Sequence, residues 1–123
     1  DILDVEVLNF RVDLSISVAP NANKYEVIKM VIDSLKLLFK LEKMQVGQPI
    51  IEADIINEII NIQGVLSLVE LKLTSLFGVV NGRVYSDQSI NMADAKSNGI
   101  YFPTIGGIFE LRFPNEDIRV TVR

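Results

Sequence analysis

Oxygen donors gather once in this chain, in a polar stretch where Asp87, Asn91, Asp94 and Asn98 recur every three or four residues. Such side chains bind Ca²⁺ or Mg²⁺ when enough of them converge. The spacing does not match an EF-hand, because the required glycine and terminal glutamate are missing. A solvated loop explains the cluster, and the 86–98 segment stays open only as a weak cation site. A second acidic group, Glu52, Asp54 and Glu58, occupies one short helical stretch. Paired carboxylates perform acid–base chemistry when their surroundings split their pKa values. Here Glu52 and Asp54 fall in the first helical turn, where they offset the helix dipole. Serines occur without a Gly-x-Ser-x-Gly elbow, and the chain has no histidine to serve as a base. Gly78, Gly82 and the Gly106-Gly107 pair open no predicted helix, so they read as turn glycines rather than a phosphate cradle. The sequence therefore predicts no enzyme, no catalytic residue, no bound metal and no cofactor.

Composition narrows the partners. The 123 residues carry a net charge of −4 and no cysteine. Residues 1–63 hold 10 acids and 6 bases, and residues 64–123 hold 6 of each, so no basic block marks a nucleic-acid surface. A chain that is 49% hydrophobic can bury a real core without disulfides. Its mean hydropathy of +0.32 is high, yet its apolar runs are far shorter than a membrane span. No membrane insertion is expected, and the excess points to surface meant for a protein partner. The chain opens on Asp1, without an initiator Met, inside what reads as an extended segment. We expect a single domain, 1–123, cut from the C-terminal part of a longer protein.

The elements follow from periodicity. Phe10, Val12, Leu14, Ile16 and Val18 alternate with polar residues, which predicts a strand. Val5 and Val7 have the opposite parity, which predicts a register shift near Leu8-Asn9. Asn23 caps a helix reaching about Lys40, with Tyr25, Ile28, Ile32, Leu35 and Phe39 as its apolar stripe. Pro49 starts a second helix, with Ile55, Ile56, Ile59, Ile60 and Ile62 inward and Gly64 ending it. Val69, Leu71 and Leu73 predict another amphipathic strand. Val79 to Val84 is a hairpin, because Asn81-Gly82 suits a type I′ turn. Ser86 to Asn98 reads as a loop with at most one helical turn. Ile100–Phe102, Ile108–Phe113 and Ile118–Val122 read as three further strands.

The predicted fold class is α+β: two helices packed on a mostly antiparallel sheet, with C-terminal β-hairpins. Residues 1–76 form the strand–helix–helix–strand core, and residues 77–123 a β-rich extension. Aromatics concentrate in that second half, with too few basic neighbours for nucleic-acid stacking. Aromatic anchors dominate protein interfaces. The predicted interface is accordingly Phe77, Val79, Val80, Tyr101, Phe102, Ile108 and Phe109.

Two stretches carry a resemblance. Val46-Gly47-Gln48-Pro49-Ile50-Ile51, the helix after it and Gln63-Gly64-Val65 resemble the C-terminal domain of baseplate J-like proteins. Asn98 to Pro103, Ile108 to Pro114 and Asp117-Ile118-Arg119 resemble the end of the baseplate wedge protein of contractile-tailed bacteriophages. The resemblance implies a virion structural protein, assembled in the host cytoplasm and located in the tail baseplate. Its domain would pair with itself, as a homodimer or ring, and with other baseplate wedge proteins. The alternative expectation is a small-molecule-binding regulatory domain, recognisable by a deep pocket with convergent polar groups. A third, a carboxylate-based hydrolase, would need two acids converging in a cleft.

Overall fold

The computed structural model describes residues 5–123, so the expected extended opening at residues 1–4 lies outside the described residues. In chain order come β1 (Glu6–Val18), α1 (Lys24–Leu38), β2 (Ile50–Ile51), α2 (Glu52–Ile60) and β3 (Val65–Leu76). Then follow β4 (Val79–Val80), β5 (Arg83–Val84), α3 (Met92–Ala95), β6 (Lys96–Ser97) and β7 (Ile100–Tyr101). β8 (Gly107–Glu110), α4 (Pro114–Asp117) and β9 (Ile118–Val122) complete the chain. The fold is α+β, as the sequence predicts, and four of the six strand pairings are antiparallel.

β1 is the axis of the main sheet. β3 runs antiparallel along one side of it. On the other side β8 pairs with Glu6–Asn9 and β9 with Val12–Ile16, both in parallel. Residues 77–123 therefore complete the sheet that β1 and β3 begin. Leu8, Phe10, Val12, Leu14 and Ile16 are buried on one face and share one core with the buried residues of α1 and α2, which pack against the flanking strands β9 and β3. Phe10 anchors that layer, with edge-to-face contacts to Phe39 at 5.2 Å and Phe109 at 6.0 Å.

Packing moves several features from where periodicity puts them. Asn23 caps α1 through its side-chain oxygen, which accepts the N–H groups of Tyr25 and Glu26. The buried stripe is Val27, Val31, Leu35 and Phe39, while Tyr25 is exposed. The i, i+4 row thus lies about one residue around the helix from the predicted stripe. In α2 only Ile55 and Ile59 are buried, and Ile60 is exposed. The helix ends at Asn61 in right-handed geometry. Gly64 instead serves the turn into β3 at φ +98, where a Cβ would stand 2.8 Å from Val27 Cγ2. β1 pairs without a break near Leu8-Asn9. The register shifts lie opposite Ser15/Ile16 and Ser17/Val18, where Val69 and Leu66 are the extra residues of β3. Such bulges re-aim a side chain, which is why Val69 is exposed instead of buried.

Candidate functional site: an apolar hairpin face

Asn81 and Gly82 take positive φ, +51 and +78, the geometry a type I′ turn requires. Gly78, at φ +67, turns the chain out of β3 and into this hairpin. Its amide and carbonyl bond to Ser86 and Tyr85, closing the base. Val79 and Val84 are cross-strand partners. Both face water, at 71% and 62% exposure, and Phe77 at the root of the hairpin is 54% exposed. Three large apolar side chains are thus presented on a tight turn.

The other side of the hairpin is fastened to the sheet through polar contacts. Tyr85 is buried and donates its O–H to Asp117 Oδ2 at 2.6 Å. Arg83 Nε donates to the Tyr85 oxygen at 3.1 Å, and Arg11 Nε donates to Asp117 Oδ1 at 3.4 Å. Arg83 also comes within 3.8 Å of both Asp117 and Glu116. Burial, helped by the bond to Asp117, pushes the Tyr85 phenol above its ordinary range. The bond to Tyr85 holds Arg83 more firmly protonated. Asn9, also fully buried, accepts the Ser86 N–H at 2.8 Å and donates to Glu110 Oε1 at 2.7 Å. Arg112 links Glu110 to the Val84 carbonyl. Phe113 meets the Tyr85 ring edge-on at 5.4 Å. Asp117 is fully buried with both oxygens engaged, so this arrangement suits a latch better than a proton-transfer group.

The predicted interface residues divide. Phe77, Val79 and Phe102 are exposed, and Val80 and Ile108 are half-buried. Tyr101 and Phe109 belong to the core, at 5% and 0% exposure, so their assignment to an interface is corrected. The reason is pleat parity: Phe109 points from β8 toward Phe10, and its neighbour Ile108 turns away. Tyr101 is held inward on β7, its O–H 3.4 Å from Glu52 Oε2, and burial pushes its phenol up as well. Phe102, next along, turns out. Sequence reasoning missed Val84, which the two-residue turn makes the partner of Val79. It also missed Ile105, fully exposed just before Gly106.

Two of the carboxylates singled out for chemistry, Glu52 and Glu58, are otherwise occupied. Glu52 holds Lys96 at 2.9 Å, a bond that raises the lysine pKa. Glu58 accepts the Ser34 hydroxyl at 2.9 Å. In the oxygen-rich loop Asn91 caps α3 by accepting the Asp94 N–H, and Asn98 forms a positive-φ turn. Among the described residues no three acidic, histidine or cysteine side chains gather as a metal cluster. No helix among them is long and apolar enough to cross a membrane. No protein-family model matches this chain, and no curated protein is significantly similar to it.

Proposed function

We propose that this chain is a structural assembly module that acts by associating with copies of itself, as in a phage tail baseplate wedge. The observation that carries the proposal is the hairpin face of Phe77, Val79 and Val84, apolar, exposed and fixed in place by the Asp117 latch. Side chains of this kind, held rigid before contact, lose little entropy on binding and suit the centre of an interface. The likeness to baseplate proteins of Val46–Ile51 with Gln63–Val65, and of Asn98–Pro103, Ile108–Pro114 and Asp117–Arg119, supplies the biological setting. Recesses on the surface offer less to a small molecule. One on the main sheet, about 250 Å³, is open and lined by Asp13, Ser15, Glu70, Lys72, Arg119 and Thr121, with Leu14. Ligand sites are concave and mostly apolar.

Light scattering across a concentration series tests the proposal. The chain is expected to associate as concentration rises to ~1 mM, the range in which weak contacts form. A Val79→Asp/Val84→Asp variant is expected to stay folded and to associate less. A strictly monomeric wild-type chain at that concentration would refute the assembly role.

A further inference from the structure

β3 is an edge strand, bonded to β1 on one side only. Among the described residues, no other backbone group hydrogen-bonds to its backbone between Leu66 and Leu76. Edges like this accept a further strand unless they are blunted. The bulges at Val69 and Leu66 blunt one end. At the other end Ser75 Oγ accepts the Ile90 N–H, which brings the 86–91 segment over the strand. Glu70, Leu71 and Lys72 remain between them, the two charged residues exposed and Leu71 half-buried. Glu70 also holds Arg123 of its own chain in an exposed pair at 2.9 Å, which leaves its second oxygen open to a partner.

Resting on the self-association proposed above, we infer that two copies of this chain pair antiparallel through β3, about a two-fold axis at Leu71. The charges select that register. With the axis at Leu71, Glu70 of one copy lies directly opposite Lys72 of the other, twice over. Moving the axis one residue either way would set Lys72 against Lys72 or Glu70 against Glu70, and like charges directly opposite repel. The seam also extends a pattern already present on the open face of the sheet. Lys72 lies opposite Asp13, and Asp13 lies opposite Arg119. Glu70 of the second copy, placed beyond Lys72, continues this row of alternating sign. Leu71 meets its own copy beside a recess of about 290 Å³ at the strand's edge, lined by Leu71, Lys72 and Leu73 and, across from them, by Met92, Lys96 and Tyr101 among others. The contact is isologous and closes on itself. The hairpin face is then left for a second contact, which any ring built from pairs requires.

Charge reversal tests the seam. Glu70→Lys and Lys72→Glu are made singly, checked for folding by circular dichroism and melting, and studied by sedimentation from ~10 µM to ~1 mM. Each single variant is expected to dimerise about tenfold more weakly than wild type, or worse, because each sets like charges opposite. An equimolar mixture is expected to regain the dimer. In the mixed pair, the lysines at positions 70 and 72 of one variant face the carboxylates at positions 72 and 70 of the other. Dimers that persist unchanged in both single variants overturn the seam and leave the assembly role standing. A wild-type chain that never dimerises overturns both. Glu70→Lys also releases Arg123 of its own chain, an exposed pair, and Lys72→Glu places its carboxylate opposite Asp13. Should it fail to fold, Glu70→Lys alone decides: its dimer is expected to weaken at low salt and recover as salt screens the lysines. A dimer equally strong at all salt concentrations overturns the seam.

Discussion

Replacing Asp117 by alanine should unfasten the hairpin and destabilise the whole domain. The carboxylate is fully buried, while the side chains of Arg11 and Arg83 are 14% and 22% exposed. Truncating one member of a buried charged pair costs about 3–5 kcal/mol because the other is left uncompensated. Partial access of water to both arginines lowers that figure. The Tyr85 hydroxyl also loses its acceptor, at about 1–3 kcal/mol for a buried unsatisfied group. These losses share one network and do not add, so the expected total is about 3 kcal/mol. Unfolding entropy of about 2.1 cal/mol/K per residue over 123 residues converts this to a Tm about 12 °C lower. Asp117→Asn keeps an acceptor for Tyr85 but loses the charge, and should cost about half as much. Calorimetry gives the melting temperatures, and hydrogen exchange at Tyr85 and Ser86 reports the hairpin. A fall of less than about 4 °C for Asp117→Ala, with those amides still protected, would refute the latch.

Phe102→Asp should stay folded, whereas Phe109→Asp should abolish folding, since removing a buried phenylalanine side chain alone costs about 3–5 kcal/mol. Circular dichroism of the two variants decides between core and surface. Gly64→Ala should destabilise more than Gly78→Ala: both have positive φ, but only Gly64 has a neighbour, Val27, inside 3 Å of the added Cβ. Urea unfolding midpoints of the two variants measure the difference. Stability should fall as pH rises above about 10, the ordinary tyrosine range. Tyr85, Tyr101 and Lys96 all have raised pKa values in the fold, so the unfolded chain loses these protons first and alkali favours it. Tyr25→Phe leaves only Tyr85 and Tyr101 to absorb as tyrosinate. Their absorbance should rise above about pH 10 together with loss of the circular dichroism signal.

Local signals in the sequence were sufficient for the elements and less so for their faces. The Asn81-Gly82 turn, the Asn23 cap and the alternation of β1 each depend on neighbours a few residues apart, and each is where the pattern puts it. Which face of an isoleucine-rich helix is buried depends on the partner surface. The stripe on α1 therefore rotated to Val27 and Val31, and Ile60 was left in water. The bulges of β3 arise from pairing with β1, so no alternation within β3 alone could mark Val69 as outward. The candidate site was half legible. Phe77 and Val79 follow from their place around a recognisable turn, but Tyr101 and Phe109 are equally apolar, and only pleat parity within β7 and β8 sends them inward. The Asp117 network was invisible for a different reason: its members, Arg11, Arg83, Tyr85 and Asp117, lie up to 106 residues apart.

The position of β1 at the centre has a further consequence. On one side β1 is flanked by β8 and β9, which follow it in the chain by about a hundred residues. Closing contacts so distant is slow, and the nascent chain must wait with one side of β1 bare. A polypeptide released before Ile118 lacks the strand that covers Val12–Ile16. Prematurely terminated products should therefore fail to fold and be degraded.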